Sequence, residues 1–183
     1  MTREYGGYFQ ALTRFRCGMY AMLGDIRKMF WQIKLSTNDV QYHGVIWDGE
    51  TYVHTRVTFG GNSSPPIADR SMMKIAAAGK EAYPNGSEVI ENKRFVDDLM
   101  DASQNKGKIV LKRDETQALL GKFGFEIKIW RSNHPDVGAV ERDIKVLGAR
   151  WNAVTDELAP TFSDGYVAEI LTKRTMLSKK AEI

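Results

Sequence analysis

The sequence has 183 residues, of which 43% are hydrophobic and 27% are charged. This composition suits one globular domain and excludes a disordered or fibrous chain. The formal net charge of +3 permits a phosphate-rich partner but does not identify one. Cys17 is the only cysteine, which excludes an internal disulfide and favours a reducing intracellular compartment. The chain lacks both a signal-peptide pattern and the roughly 18 consecutive apolar residues of a membrane span, so we expect a soluble protein without a membrane partner.

The first half of the sequence predicts alternating helices and strands. The segment 20–25 has the pattern of a buried strand that ends at Asp25, and apolar positions at helical spacing follow over 26–35. Two alternating segments flank the Asp48-Gly49 pair, which favours a tight hairpin turn. The Gly- and Pro-rich segment 60–66 predicts a loop that leads into a helix, because proline is tolerated in a first helical turn. The other elements predicted here are a short helix through Tyr8, Leu12 and Phe15, and hairpin strands over 45–47 and 51–57.

The second half predicts the remainder of one sheet with a further helix. Turn-forming residues separate its apolar segments, and glycine at position 124 favours a helix C-terminal cap. The resulting order β-α-β-β-α-β predicts an α+β, ferredoxin-like fold with an antiparallel sheet and packed helices. The elements predicted here are a linker over 83–87, a hairpin over 89–101, a helix over 109–123, and strands over 125–130 and 146–151, with a turn near Asp156.

Three aspartates stand at predicted strand ends and turns. Asp25 ends the first strand, and Asp97 and Asp98 lie in the turn of a hairpin much later in the chain. A tight turn breaks the strict alternation of a strand and can direct both neighbouring carboxyl groups to one place. Clustered carboxylates bind hard divalent cations, and two Mg²⁺ ions roughly 3.5–4 Å apart assist phosphoryl transfer. The ordinary alternatives are a solvated turn for Asp97-Asp98 and a helix N-cap for Asp25.

Three sequence boxes resemble motifs of retrotransposon reverse transcriptases and occur in the same order. Residues 25–35 (DIRKMFWQIKL) resemble motif A, 56–65 (RVTFGGNSSP) resemble motif B, and 95–99 (FVDDL) resemble motif C. An isolated FVDD carries little information, whereas the ordered set is specific. The segments that are similar to those after the active site in the BEL/Pao group of long-terminal-repeat retrotransposons are 124–133, 146–151 and 172–178.

The resemblance implies a polymerase palm that adds deoxynucleotides to a primer 3′ end by two-metal phosphoryl transfer. Asp25 and Asp97 would be the main ligands of Mg²⁺, or of Mn²⁺ in its place, and Asp98 would complete the acidic site. Ile26 would contribute its backbone carbonyl. The implied partners are an RNA or DNA template with its primer and deoxynucleoside triphosphates.

Further residues are implied to bind the incoming nucleotide. Phe30 matches the bulky motif A position that excludes a 2′ hydroxyl, and Phe59-Gly60 match the motif B turn, where glycine lets the backbone approach a ligand. Lys128 matches the motif D lysine beside the triphosphate. The ordinary alternatives are a core aromatic for Phe30, a plain turn for Phe59-Gly60 and a solvated strand residue for Lys128. The chain departs from the family pattern at Thr58, Gly61 and Ile129.

The extent of the resemblance leaves the activity of this chain open. We expect residues 1–183 to form a single reverse transcriptase palm domain, in which 1–18 are a remnant of the fingers leading into the palm and 172–183 begin the connection toward the thumb. Fingers, thumb and RNase H would come from the same polyprotein, in the cytoplasm or in virus-like particles. The alternative is a catalytically inactive retroelement relic that binds nucleic acid or protein. A nucleotide cyclase on a similar sheet would explain the aspartates but not the segment 60–65, and we expect Trp130 and Trp151 to be core residues.

Overall fold

The computed structural model describes residues 8–161. The predicted connection over 172–183 and residues 1–7 lie outside this range. The helices are α1 (Tyr8–Phe15), α2 (Met29–Gln32), α3 (Ser64–Gly79), α4 (Pro84–Asn92) and α5 (Lys106–Lys122), and a short 3₁₀ helix spans Val40–Tyr42. The strands are β1 (Tyr20–Ile26), β2 (Gly44–Trp47), β3 (Glu50–Val53), β4 (Arg94–Phe95), β5 (Asp98–Ser103), β6 (Ile127–Ser132), β7 (Ile144–Val146), β8 (Ala149–Asn152) and β9 (Glu157–Pro160).

The central sheet has four antiparallel strands in the order β4-β5-β1-β6. Helices α3 and α4 lie between β1 and β4 in the chain, and α5 lies between β5 and β6, so the arrangement is ferredoxin-like. The α+β fold predicted from the sequence is therefore confirmed. Alternation along β1 divides its apolar side chains between two clusters: Met22 and Ile26 pack with the helices, and Ala21 and Leu23 lie on the opposite face.

Helices α3, α4 and α5 supply the core on one face of this sheet. Helix α3 begins with prolines in its first turn, as predicted, and buries Met72 and Ile75. Helix α5 ends in a Schellman motif, in which the Phe125 N–H donates to the Leu120 carbonyl and Gly124 has a φ of 79°. The predicted C-terminal cap at Gly124 is confirmed.

The linker predicted over 83–87 is wrong, because helix α4 begins there at Pro84. The carboxylate of Glu115 in α5 accepts the backbone N–H groups of Asn85 and Gly86 at 2.7 and 3.0 Å. These donors have no partner within their own helix, so a neighbouring helix supplies the cap that the local sequence lacks. A Cβ on Gly86 would lie 2.6 Å from the Glu115 backbone, and glycine thus permits the close approach. The predicted hairpin over 89–101 is correspondingly shorter, because α4 continues to Asn92.

The segment after β1 is less helical than predicted over 26–35. Helix α2 is only four residues long, and Lys28 before it has a φ of 50°. Residues 33–35 are hydrogen-bonded to 55–57 instead, so tertiary pairing overrides the helical spacing. The hairpin predicted around Asp48-Gly49 is confirmed as β2 and β3, with positive φ at both turn residues.

Helix α1 and the sheet of β7, β8 and β9 contribute a second core on the other face of the central sheet. Fully buried Phe15 and Trp151 meet edge to face with ring centroids 4.8 Å apart, so the core position predicted for Trp151 is confirmed. The single strand predicted over 146–151 is wrong. Leu147 and Gly148 have φ angles of 45° and 75° and form the turn between β7 and β8. Among residues 8–161, no helix has both the length and the apolar surface that a bilayer crossing requires.

Candidate active site

Two of the candidate aspartates occupy neighbouring strands of the central sheet. Asp25 near the end of β1 is paired in register with Asp98, the first residue of β5. Directly opposed residues of an antiparallel pair project to the same face, with Cβ atoms about 4.5–5.5 Å apart. By alternation, that face is the one of Leu23, away from helices α3–α5. The fold thus brings together two carboxyl groups that are far apart in the sequence.

The third aspartate, Asp97, lies in the two-residue loop Val96-Asp97 between β4 and β5. Its backbone carbonyl accepts the N–H of Ile26 at 3.0 Å, which ties the loop to the end of β1. Val96 has a φ of 53°, a conformation in which a β-branched side chain is strained. The turn predicted at Asp97-Asp98 is therefore displaced by one residue, because Asp98 already belongs to β5.

Burial and mutual repulsion raise the pKa of two of these carboxyl groups. Desolvation by burial, followed by the charges of Asp97 and Asp25, raises the pKa of Asp98 to about 7, although Arg131 acts in the opposite direction. Desolvation also raises the pKa of Asp97 against a backbone hydrogen bond that lowers it, and the charge of Asp25 adds to the increase. The three carboxyl groups are thus close enough to repel one another when ionised.

The donor chemistry of this cluster fits a divalent cation such as Mg²⁺. Carboxylate oxygens are hard ligands, and an added positive charge would offset the repulsion between the three aspartates. Within residues 8–161, no group of three or more His, Cys, Asp or Glu side chains is arranged so that it could hold a metal ion by itself. Mg²⁺ does not need such a cage, because it keeps several waters and is usually held by one or two carboxylates together with substrate phosphates.

The candidate nucleotide-binding residues of the first two motifs contact each other. The rings of Phe30 and Phe59 lie with their centroids 4.8 Å apart. Phe30 is 6% exposed and belongs to the helix-side core, whereas Phe59 is 64% exposed and extends its edge into solvent. Gly60 has a φ of 87°, and a Cβ there would meet nothing within 4 Å. Glycine is therefore favoured at this turn by its backbone conformation rather than by crowding.

Lys128 lies on β6 at an irregularity opposite Asp25. Gly24 pairs with Trp130 and Ile26 pairs with Ile127, so Lys128 and Ile129 together face the single residue Asp25 on β1. This two-against-one arrangement is a β-bulge, a device that redirects side chains. The side chain of Lys128 is exposed, and the structure therefore brings its backbone to the strand of Asp25 without burying its charge.

Trp130 packs against the strand that carries Asp25. A Cβ on Gly24 would lie 2.4 Å from the Trp130 ring, so the glycine provides the space for the indole. The indole N–H donates to Gln117 Oε1 at 2.9 Å, and the side chain is partly buried against the helix-side core. The core position predicted for Trp130 is thus partly confirmed, and its polar edge is satisfied at the surface.

Sequence reasoning missed the basic groups that flank the aspartates. Arg131 pairs in register with Leu23 and therefore lies on the face of Asp25, where its Nε donates to Glu141 at 2.7 Å. Arg94 is buried behind the Val96-Asp97 loop. The only signal in the sequence was its position just before the FVDD box, since a buried arginine requires partners that the sequence does not identify.

Comparisons with known proteins show the fold. No family model matches the sequence, and no curated protein matches it. A structure of the foamy viral protease-reverse transcriptase in complex with RNA/DNA hybrid matches with a TM-score of 0.60 and 17% identity, over 96% of this chain and 22% of the other. A structure of its dRH form with double-stranded DNA has a TM-score of 0.64 and 14% identity, over 97% and 29%. A third, with double-stranded DNA, has a TM-score of 0.62 and 15% identity, over 96% and 34%.

At these identities the comparisons establish a shared fold. The chain has a reverse-transcriptase-like fold of the kind found in the foamy viral protein, and it spans about a fifth to a third of the chains that it matches. The fold class and the arrangement of the central sheet therefore agree with a partial polymerase palm.

Proposed function

We propose that this chain carries the palm active site of an RNA-directed DNA polymerase, a nucleotidyltransferase that adds deoxynucleotides to a primer 3′ end. The observation that carries the proposal is the register of Asp25 with Asp98 beside the loop that holds Asp97. The reverse-transcriptase-like fold supports it, because the matching structures are reverse transcriptases in complex with RNA/DNA hybrid or double-stranded DNA. The narrower assignment to a BEL/Pao-like retrotransposon rests on the sequence motifs.

The proposed chemistry assigns a role to each acidic residue. Asp25 and Asp97 would hold Mg²⁺, or Mn²⁺ in its place, Asp98 would complete the acidic site, and the carbonyl of Ile26 would be a further ligand. When bound, two such cations would offset the negative charge that develops on the attacking and leaving oxygens. The primer 3′ oxygen bonds to the α-phosphorus of the nucleotide, the bond to the bridging oxygen breaks, and pyrophosphate leaves. The proton of the 3′ hydroxyl passes to solvent.

The proposed nucleotide site consists of Phe30 and the Phe59-Gly60 turn. Phe30 packs under the sugar and disfavours a 2′ hydroxyl, and the contact between the Phe59 and Phe30 rings supports a common role for the two motifs. Lys128 approaches the triphosphate from the bulge in β6, where a cation would offset developing negative charge. Phe30 is already held by core packing, which would give the sugar a rigid surface.

A complete polymerase of this kind needs more than a palm. We propose that the template and primer are held by fingers and thumb of the same polyprotein, together with an RNase H domain, inside virus-like particles or the cytoplasm. The alternative is a retroelement relic that binds nucleic acid or protein without catalysis. Metal binding and primer extension separate the two, because a relic with an intact fold need not perform the second.

The decisive experiment combines both measurements on the 183-residue chain. Mn²⁺ binding is followed by electron paramagnetic resonance, and primer extension is followed on a poly-RNA template with Mg²⁺ or Mn²⁺. We expect saturable Mn²⁺ binding, and for the Asp97→Asn/Asp98→Asn variant at least a tenfold loss of affinity, since each lost charge-assisted contact contributes about 1.5–3 kcal/mol. Any extension should disappear in the same variant.

An exposed aspartate provides the matched control. Asp39 lies before the 3₁₀ helix and its side chain makes no capping hydrogen bond, so Asp39→Asn should bind Mn²⁺ as the original chain does. Primer extension that survives in the Asp97→Asn/Asp98→Asn variant would refute the active-site assignment. Site-specific Mn²⁺ binding without extension would favour the relic, or a palm that works only together with the proposed fingers and thumb.

A further inference from the structure

The buried guanidinium of Arg94 connects helix α3 to the loop that carries Asp97. Its side chain is 2% exposed. Nη1 donates to the backbone carbonyl of Val96 at 2.7 Å, and Nη2 donates to the carboxylate of Asp69 in α3. Nε has no hydrogen-bond partner in the part of the chain that the structure describes. A buried charge with one unsatisfied donor is costly, so packing alone does not explain this arrangement.

Both contacts of Arg94 bear on the geometry of the acidic site. The Val96 carbonyl belongs to the peptide that joins Val96 to Asp97, and a hydrogen bond to it restrains the rotation of that peptide. Val96 is the residue with the strained φ of 53°, and strain of this kind persists only where surrounding contacts enforce it. A second hydrogen bond restrains the same loop: the Ile26 N–H donates to the Asp97 carbonyl at 3.0 Å.

We propose that Asp69 and Arg94 are positioning residues that hold the Val96-Asp97 loop in the conformation in which Asp97 binds metal. This inference rests on the proposed function. The planar guanidinium donates in two directions at once, toward α3 and toward the loop, and a lysine ammonium cannot reproduce that fork. Asp69 acts only through Arg94, and neither residue is assigned a contact with substrate.

The same helix connects two parts of the proposed site. Helix α3 begins at Ser64, directly after the loop that contains Gly60, and Asp69 lies in its second turn. A displacement of α3 would therefore change both the nucleotide-binding turn and the Arg94 contact to the metal-binding loop.

The test measures Mn²⁺ affinity and local backbone stability in the full 183-residue chain. Asp69→Asn is the main variant, because Asp69 is partly exposed and its loss leaves Arg94 in place. We expect Asp69→Asn and Arg94→Lys each to weaken Mn²⁺ binding about tenfold, as measured by electron paramagnetic resonance. Glu81→Gln is the matched control: it removes the same negative charge from an exposed position just after α3, and its Mn²⁺ affinity should stay within about twofold.

Amide hydrogen exchange in the absence of metal provides a second readout. If Arg94 holds the loop, the Ile26 amide that bonds to Asp97 should exchange about tenfold faster in Asp69→Asn, while other amides of β1 keep their rates. A merely structural role of the ion pair would instead accelerate exchange across the whole sheet and leave the Mn²⁺ affinity of the folded protein unchanged. That result, or unchanged Ile26 exchange in both variants, would overturn the proposal.

The controls distinguish this failure from a failure of the proposed function. If the original chain binds Mn²⁺ and Asp97→Asn/Asp98→Asn abolishes binding, but Asp69→Asn and Arg94→Lys do not change it, only the positioning proposal is refuted. If the original chain shows no Mn²⁺ binding that depends on Asp97 and Asp98, the proposed function is refuted and the positioning proposal with it.

Discussion

Strand β5 carries two aspartates, Asp98 and Asp101, in opposite electrostatic surroundings. Asp101 points to the helix side and is 2% exposed, yet its carboxylate is paired with Lys112 at 2.6 Å and with Lys93 at 3.6 Å. Asp98 faces the other side, where the charges of Asp97 and Asp25 add to the increase in its pKa that burial causes. Residues three positions apart in a strand project to opposite faces, so β5 presents one aspartate to each side of the sheet.

The difference shows how the fold treats a structural acid and a candidate functional acid. The protein itself neutralises Asp101, because a buried ion without a partner is strongly destabilising. Burial alone would lower the pKa of Lys112, but its hydrogen bonds to Asp101 and Glu88 outweigh that effect and raise it. The carboxylates around Asp98 receive no equivalent cation from within residues 8–161 beyond the weaker influences of Arg94 and Arg131. The proposed cation would offset their mutual repulsion.

The largest expected effect on stability comes from removing the lysine that neutralises Asp101. Lys112→Met should lower the free energy of unfolding by about 3 kcal/mol, because it leaves Asp101 buried with only the more distant Lys93 as a counter-ion. Urea unfolding at pH 7 measures the change. The raised pKa of Lys112 means that its contribution is fully present below its ordinary value of 10.5 and is lost only as the pH rises through the higher folded-state value.

The control for this substitution lies one turn earlier in the same helix. Lys108 is exposed, and its backbone N–H donates to the Asn105 side chain in the N-terminal cap of α5. Lys108→Met should therefore change the free energy of unfolding by less than about 0.5 kcal/mol. Equal effects of the two substitutions would show that the ion pair of Lys112 with Asp101 does not stabilise the fold.

A smaller change in the free energy of unfolding, of opposite sign, is expected when the charge of Asp98 is removed. The folded-state pKa of Asp98, about 7, exceeds its ordinary value of 3.8, so the folded chain binds more protons than the unfolded chain between these pH values. The contribution of Asp98 to the free energy of unfolding therefore falls as the pH rises from about 4 to about 7 and then stays level. Asp98→Asn mimics the neutral acid and should stabilise the metal-free protein by about 2 kcal/mol at pH 8 but have little effect at pH 4.

Without metal, Asp98→Asn should be more stable than the original chain at pH 8. Adding Mg²⁺ should make the original chain the more stable of the two. The cation relieves the repulsion in the original chain and stabilises its folded state by binding, while Asp98→Asn has lost a charge that attracts it. Thermal unfolding at pH 8 with and without Mg²⁺ measures this crossing. If Asp98→Asn instead destabilises the metal-free protein at pH 8, other groups already neutralise the carboxylates around Asp98, and the contrast with Asp101 does not hold.

The parts of the fold that depend on local sequence were predictable. The Asp48-Gly49 hairpin and the Gly124 cap require positive φ, which those residue types adopt readily, and the sequence therefore identifies them. Helix α4 was missed because Glu115, 30 residues away from Asn85, supplies the cap for an otherwise linker-like segment. The segment 33–35 was predicted to be helical from the spacing of its apolar residues. Its actual pairing with 55–57 is a tertiary contact, which local spacing does not reveal.

The sequence singled out three candidate aspartates but not the residues that contact the loop of Asp97. The family resemblance singled out Asp25, Asp97 and Asp98, and the sheet brings the strands that carry them together. Their individual roles remain predictions. Arg94 and Asp69 carry no recognisable pattern, because an ion pair between a helix and a hairpin loop depends on a distance that only the folded chain defines.

The smallest expected effect on stability separates the two carboxylate partners of Lys112. The Glu88 carboxylate also lies 2.6 Å from the Lys112 ammonium, but its side chain is 40% exposed. Water and salt screen such a pair, so Glu88→Gln should lower the free energy of unfolding by less than about 1 kcal/mol. The loss should shrink further in 1 M salt, whereas that of Lys112→Met should persist because Asp101 is buried. If Glu88→Gln costs as much as Lys112→Met, the exposed carboxylate rather than the buried one is the partner that Lys112 requires.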